Sequence, residues 1–455
     1  MQTAECPTKV LIAISNSFHL RSVIESGLLI NLCSKFDVTL ATNIELKQDL
    51  EILNLEHSLF HISPRNSKFT SYIMDSGTWR FRAKSSSFRY RIRRRLYGDT
   101  SANNLNLIAK VKFKYRVMKG LTKYFLLGNG LSYLILRITY RKLQKREHSV
   151  AELIKNQKPD IVLVWAQSLD PVSSAFLYHS KSSSIPNLMI ADNWDNLFSK
   201  TVFPISPDFV GCFGAQSADF GSKLHGIPRD RFLLTGSARF DVYRGFTKVD
   251  SRKIILFAGS SMPEDDEKIV RLIDEVRSQR VNVAESDELT WRYRPHPVPQ
   301  YEVSDFQDQF PGFDFTNNRS NKNEMAWPSL QDSVVELANT RVAVCMPTSY
   351  LLEALACEVP VIIPAFSNMH GLTSSRVLMQ SLAHLKNLNE LPGVYVATSA
   401  GDFKRQLSNL IATDSRIKIT KELDYFVKFS QSSFAENLTS AISMASNTKE
   451  RNIIE

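Results

Sequence analysis

The run Arg341–Ile362 reads as an apolar strand, a hydroxyl-bearing turn, a short helix and a second apolar strand. Thr348 and Ser349 fall where that helix starts, and there the unpaired backbone N–H groups and the helix dipole favour an anion. Glu353 lies four residues beyond Ser349, on the same helix face. Hydroxyls and amides so placed could hold a phosphate while the carboxylate accepts hydrogen bonds from a ribose diol. The plainer alternative is an N-cap followed by an exposed glutamate.

Three other stretches put polar groups directly after an apolar run. Trp291-Arg292-Tyr293-Arg294-Pro295-His296-Pro297 ends a predicted strand. Ligands of open α/β sheets bind beyond the carboxyl ends of the strands. Arg294 could grip phosphate oxygens in bidentate fashion, His296 could add a bond, and the prolines would fix the turn. Phe257-Ala258-Gly259-Ser260-Ser261-Met262-Pro263 offers a tight turn with hydroxyls at Ser260 and Ser261 for a diphosphate, although Glu264-Asp265-Asp266-Glu267 follow as an ordinary acidic helix start. Ala191-Asp192-Asn193-Trp194-Asp195-Asn196-Leu197-Phe198-Ser199-Lys200 is either an Asx-rich turn or a strand-end site. In the second reading Asp195 is a general base, Trp194 stacks on a sugar face, Lys200 meets a phosphate, and Asp192 contacts the acceptor.

The strand, hydroxyl turn, Glu-Ala-Leu-Ala and Pro-Val-Ile string resembles the nucleotide-binding half of GT-B glycosyltransferases. His225–Asp241 resembles the same superfamily where its first domain ends. Arg294-Pro295-His296-Pro297 resembles an Arg/Lys-x-His-Pro strand-end element of bacterial capsule and teichoic-acid-type surface polysaccharide transferases. These stretches cover roughly residues 187–364. One departure stands out: Glu358 occupies the place that is often Gly before the Pro-Val-Ile strand, so the helix must end without the usual left-handed glycine. The resemblance implies two Rossmann-like domains facing a cleft. It also implies a catalytic base in the loop after the first strand, where His19 stands, with Asn16 beside it at the acceptor. An imidazole with a pKa near 6.5 suits removal of a hydroxyl proton.

The surrounding elements fit that fold class, α/β with two doubly wound domains. Lys9–Ile14, a near-helical apolar pattern through Leu32, and Phe36–Ala41 form an opening βαβ unit; apolar runs at Lys158–Trp165, Asn187–Ala191, Asp208–Phe213 and Arg231–Thr235 continue it. A second round starts at Lys253–Ala258 and passes through Leu289–Arg294, Arg341–Cys345 and Pro360–Pro364. The expected division is residues 1–240 as acceptor domain, 253–417 as nucleotide-donor domain, and 418–455 as a C-terminal helical segment. A basic, aromatic stretch at about 67–149 fits neither round and reads as a helical insertion.

Charge is uneven. The net charge is +10, yet residues 80–147 hold 19 Lys or Arg against Asp99 and Glu147, so this window carries +17 and the remainder is net negative. Such a patch points to an anionic membrane surface or a lipid-linked acceptor, with a solvated helix as the plainer alternative; nucleic acid is not expected, because no recognised module accompanies the charge. The five scattered cysteines have no CxxC spacing, which argues for a reducing compartment and against zinc. No signal-peptide core or run of ~18 apolar residues is present, so the expected location is the cytoplasm, with peripheral attachment to the inner face of the cell membrane.

Together these features lead to an expected metal-independent glycosyltransferase of surface polysaccharide biosynthesis. It would take a nucleotide-sugar donor as substrate, need no cofactor and contain no DxD motif. A CDP-polyol phosphotransferase or nucleotide-sugar 2-epimerase on the same fold is the first alternative. A non-catalytic membrane or nucleic-acid binding protein is the second.

Overall fold

The computed structural model describes residues 7–15, 17–42, 56–60, 64–97, 107–165, 170–191, 193–249, 251–259, 263–280, 289–296, 307–316, 329–366, 374–418 and 421–454. The chain divides into two compact units: one of residues 1–96, 107–241 and 424–455, the other of 97–106 and 242–423.

Unit 1 is built on β1 (Lys9–Ile14), β2 (Asp37–Thr42), β3 (Glu56–Leu59), β4 (Ile161–Trp165), β5 (Asn187–Ala191), β6 (Phe209–Cys212) and β7 (Phe232–Leu234). They form one sheet in the order β3-β2-β1-β4-β5-β6-β7, every pair parallel. The alternation of side chains along β1 shows why it is apolar throughout. Val10, Ile12 and Ile14 face one core with Leu28, Leu32, Leu438 and Ile442, while Leu11 and Ala13 face another with Ile154, Val172 and Phe176.

The C-terminal stretch belongs to this unit. The Asp241 carboxylate accepts from the backbone N–H of Phe434 at 2.7 Å and of Ala435 at 3.3 Å, capping the helix Phe434–Ile454. The preceding residues run so close to the sheet ends that a Cβ on Gly236 (φ +80°) would stand 2.4 Å from the Lys428 carbonyl oxygen.

Between β3 and β4 lie the expected extra helices, Pro64–Phe81, Ser86–Tyr97, Leu107–Gly128 and Gly130–Gln144, followed by His148–Gln157. Part of their positive charge is used internally. Asp75 takes both Arg95 and Lys123, Arg91 donates to the Ser199 carbonyl, and Arg137 to that of Pro204 at 3.0 Å. Tyr140, fully buried, donates to Ser174 Oγ at 2.8 Å and ties the insertion to the helix Pro171–Ser182.

Unit 2 repeats the plan with β8 (Ile254–Ala258), β9 (Thr290–Arg294), β10 (Asp314–Phe315), β11 (Thr340–Cys345), β12 (Val361–Pro364) and β13 (Val394–Ala397). The order is β10-β9-β8-β11-β12-β13, again all parallel. In each sheet the order reverses at the strand pair led by the first strand, β1/β4 and β8/β11, and such a switch point opens a crevice at the carboxyl ends.

The helix Ser349–Ala356 ends as the departure at Glu358 requires. Glu358 itself takes the left-handed conformation, φ +60°. The N–H of Val359 reaches the Ala354 carbonyl and that of Glu358 the Leu355 carbonyl, both at 3.0 Å, a Schellman closure built on a residue with a side chain. That conformation costs roughly 1–2 kcal/mol for a non-glycine residue. The Glu358–Lys248 ion pair, 2.6 Å, offsets at most about 1 kcal/mol because Lys248 is exposed. Glu358→Gly is therefore expected to raise the thermal midpoint, and Glu358→Ala to lower it, both read by calorimetry.

Two buried histidines set a pH limit on unit 1. Burial, with Arg239 nearby, lowers the His19 pKa to about 4; burial does the same to His225, against the hydrogen bond of its Nε2 to the Leu197 carbonyl at 2.9 Å. Both pKa values lie below the unfolded value near 6.5, so the unfolded chain takes up the proton first. Their contribution is whole above pH 6.5 and declines, by on the order of 3 kcal/mol per histidine, as pH falls to 4. Melting curves across that range should show the loss, and His225→Gln should flatten it.

Candidate active site

Unit 2 brings three of the sequence candidates to one sheet edge. Gly259 follows β8, Arg294 ends β9, and Pro347-Thr348-Ser349 follows β11 into the helix Ser349–Ala356. Because β8 and β11 are the switch-point pair, these are the strand ends that a doubly wound sheet leaves open to a ligand. Ser260 lies outside the described residues.

Arg294 is where the structure departs most from the sequence expectation. Its side chain is 11% exposed, and its guanidinium is engaged by protein rather than presented as an open clamp. Nη1 donates to Glu336 Oε2 at 2.7 Å and to the Tyr350 hydroxyl at 3.2 Å, and the Tyr350 ring centroid lies 4.6 Å from Cζ. Nη2 reaches Ser333 Oγ at 3.4 Å. Burial works against the charge, but Tyr350 and Glu336 outweigh it and hold the group protonated. The Tyr350 hydroxyl also donates to Glu336 Oε2 at 3.2 Å, so a buried triangle locks the end of β9 to the first turn of the helix. Burial, chiefly, lifts the Tyr350 pKa well above its usual value.

Glu353 also has a protein partner. It is 9% exposed, and its Oε2 accepts from the Tyr243 hydroxyl at 2.8 Å, where the sequence placed a ribose diol. Ser349 is half-buried on the first turn. Thr348, the N-cap residue, is exposed, and its side chain makes no cap hydrogen bond. Elsewhere Asn129, Asp170, Ser329 and Ser399 each cap their own helix. The Thr348 hydroxyl thus stands at a helix start without being folded back onto it. His296 follows Arg294 as a half-buried loop residue.

In unit 1 the candidates separate. His19 is on the first turn of the helix Ser17–Glu25 after β1, as expected, but is 1% exposed. Trp194 is 2% exposed: its Nε1 donates to Gln216 Oε1 at 3.0 Å and its ring meets Phe426 edge-on at 6.0 Å. It is a core residue, and stacking of a sugar on it is ruled out in this arrangement. Asp195 and Lys200, both half-buried, pair with each other at 2.9 Å across a single π-helical turn, Asn196–Lys200, so Lys200 meets a carboxylate in place of the expected phosphate. Asn16 and Asp192 lie outside the described residues.

Sequence reasoning missed Glu336, Tyr350, Ser333 and Tyr243. Glu336, Ser333 and Tyr350 signal themselves only as polar residues inside helical patterns and Tyr243 only as a tyrosine in a turn, and their partners are 14 to 110 residues away. A second signal was missed at Asp170, which caps the helix after β4 through Ser173 N–H at 2.6 Å; burial raises its pKa to about 6.

No protein-family model matches the sequence, and no curated protein matches it. Among solved structures, the chain is similar to a putative UDP-N-acetylglucosamine 2-epimerase from Listeria monocytogenes (TM-score 0.54, 13% identity, 96% of each chain covered). It is also similar to the UDP-GlcNAc 2-epimerase of Methanocaldococcus jannaschii (TM-score 0.52, 10% identity, 96% of this chain and 100% of that one). A glycosyltransferase from Rickettsia africae aligns over 98% of this chain and 99% of its own at 11% identity, with a TM-score of 0.49. With two parallel sheets of the same winding order, the chain is a two-domain α/β protein of the GT-B fold.

Proposed function

We propose that the chain is an enzyme acting on a nucleotide-activated sugar, with the donor's diphosphate at the carboxyl edge of the unit 2 sheet. The observation that carries this reading is the contact between Arg294 and Tyr350, which fixes the helix start at Ser349 beside the end of β9. An anion placed there would meet the first helical N–H groups and the Thr348 and Ser349 hydroxyls. Glu336 cancels much of the Arg294 charge, so the helix start, rather than the guanidinium, supplies most of the attraction. His296 and Ser260 would complete the phosphate contacts, and Glu353, held by Tyr243, would meet the ribose after exchanging that partner.

In the favoured reaction, an acceptor hydroxyl on a glycan or lipid-linked sugar attacks the anomeric carbon. The bond from that carbon to the diphosphate oxygen breaks, and the hydroxyl proton passes to a general base. Asp195 is the more accessible candidate for that base. His19 is sealed, and its imidazole holds a proton weakly. Helix amides would stabilise the departing diphosphate without a metal. Surface polysaccharide synthesis is the setting the sequence resemblance suggests. Epimerisation at C2 is the second reading, favoured by the two similar structures named as 2-epimerases.

A thermal-shift panel of UDP, CDP, GDP, CMP and dTDP is the first test. One nucleotide should stabilise the protein by about 2.7 kcal/mol at a hundredfold excess over its Kd. If none does, the donor site is wrongly placed. Thr348→Ala with Ser349→Ala, one exposed and one half-buried position, should weaken that nucleotide by roughly 10- to 100-fold, the worth of one charge-assisted bond or more, while the melting temperature without nucleotide stays near wild type. Arg294→Ala alone removes the nearer of two guanidiniums from buried Glu336, leaving Arg292 at 3.8 Å, and would cost on the order of a few kcal/mol of stability, so the informative variant is the pair Arg294→Met with Glu336→Leu. That pair should fold and lose the shift. Conversion of the matching nucleotide sugar with no acceptor present would identify the epimerase.

A further inference from the structure

The two consecutive insertion helices, Leu107–Gly128 and Gly130–Gln144, turn an apolar stripe outward. Nine of the 15 exposed large hydrophobic side chains among the described residues fall between Tyr115 and Ile138. On the first helix Tyr115, Met118 and Phe125 recur at helical spacing; on the second Leu131, Leu134 and Ile138 do the same. Phe125 is 76% and Leu131 68% exposed, and both flank the turn at Gly128-Asn129-Gly130, so the stripe is continuous across the hairpin end. The opposite faces are occupied, for both helices pack on Pro64–Phe81. An apolar surface of this extent on a soluble face marks an interaction site.

The charge identifies the occupant. Lys112, Lys114, Lys119 and Lys142 are exposed along the same two helices, and no Asp or Glu occurs anywhere from Leu107 to Arg146. A second copy of the chain seated on this face would bring two strongly basic surfaces together. A partner with an apolar interior beneath an anionic skin satisfies both features at once. We propose that this hairpin is a docking surface for an anionic lipid bilayer, with Phe125, Leu131 and their stripe entering the headgroup boundary and the lysines meeting lipid phosphates. The basic run Arg89–Arg95, most prominent in the sequence, is in part committed inside the fold through Arg91 and Arg95, so apolar insertion by the hairpin anchors the protein and charge guides it. This inference is independent of the nucleotide reading.

The test is co-sedimentation of the full chain with vesicles of phosphatidylcholine alone and of phosphatidylcholine mixed with phosphatidylglycerol. Binding is expected to the mixed vesicles, about tenfold or more above the neutral ones, and to weaken with salt. Phe125→Ser with Leu131→Ser should reduce it about tenfold or more, with melting temperature unchanged, because both side chains are exposed. Lys112→Glu with Lys119→Glu should abolish the preference for the anionic lipid. Wild-type binding by the double serine variant, or no partition of the wild type into mixed vesicles, overturns the proposal. So does a wild-type dimer that the serine variant converts to monomer, since the occupant would then be a second copy.

Discussion

A guanidinium taken out of water costs several kcal/mol unless a carboxylate and further acceptors meet it. Arg294 is so placed, and Glu336, Tyr350 and Ser333 are its answer. Because one corner of this triangle ends a strand and another begins a helix, the pair does more than neutralise itself. It sets the distance between the end of β9 and the first turn after β11. The open helix start at Thr348 and Ser349 depends on that registration. Removing one partner would leave a buried charge and release the other element, so binding and folding are coupled at this position.

Sheet burial explains why polar chemistry gathers at such edges. Strands covered on both faces leave no room for unpaired polar groups along their length, and only the carboxyl ends at the switch point are open. In unit 1 the candidates after β1 and β5 are enclosed by protein instead. Trp194 was drawn into the core against Gln216 and Phe426, and His19 was sealed beside Arg239. The C-terminal helix, capped by Asp241, completes that core rather than standing apart.

The central strands were legible in the sequence because their burial makes them apolar runs: β5, β8 and β11 fall within one residue, and β4 within three, of where the pattern placed them. The insertion helices were legible from charge and spacing. The edge strands β3, β10 and β13 were not: Glu56–Leu59 and the two residues Asp314–Phe315 carry no continuous apolar signal, and Val394–Ala397, although apolar, is only four residues long and partly exposed. The candidate site was half legible. Arg294, Thr348 and Ser349 were found from position after a strand, but a side chain's partner is a tertiary fact. Nothing local tells that Arg294 faces Glu336, that Glu353 faces Tyr243, or that Lys200 faces Asp195. Glu358 shows the converse. The missing glycine was visible in the sequence, and the fold resolves it by forcing a glutamate into left-handed backbone.

The most direct measurement is amide hydrogen exchange of the intact chain with and without the nucleotide that stabilises it. If the diphosphate rests on the helix start after β11, the amides of Ser349 and Tyr350 should slow on binding, with a smaller effect on those at the end of β9. Unchanged exchange at those amides, with protection appearing elsewhere in the chain, would contradict the assignment of this edge as the donor site.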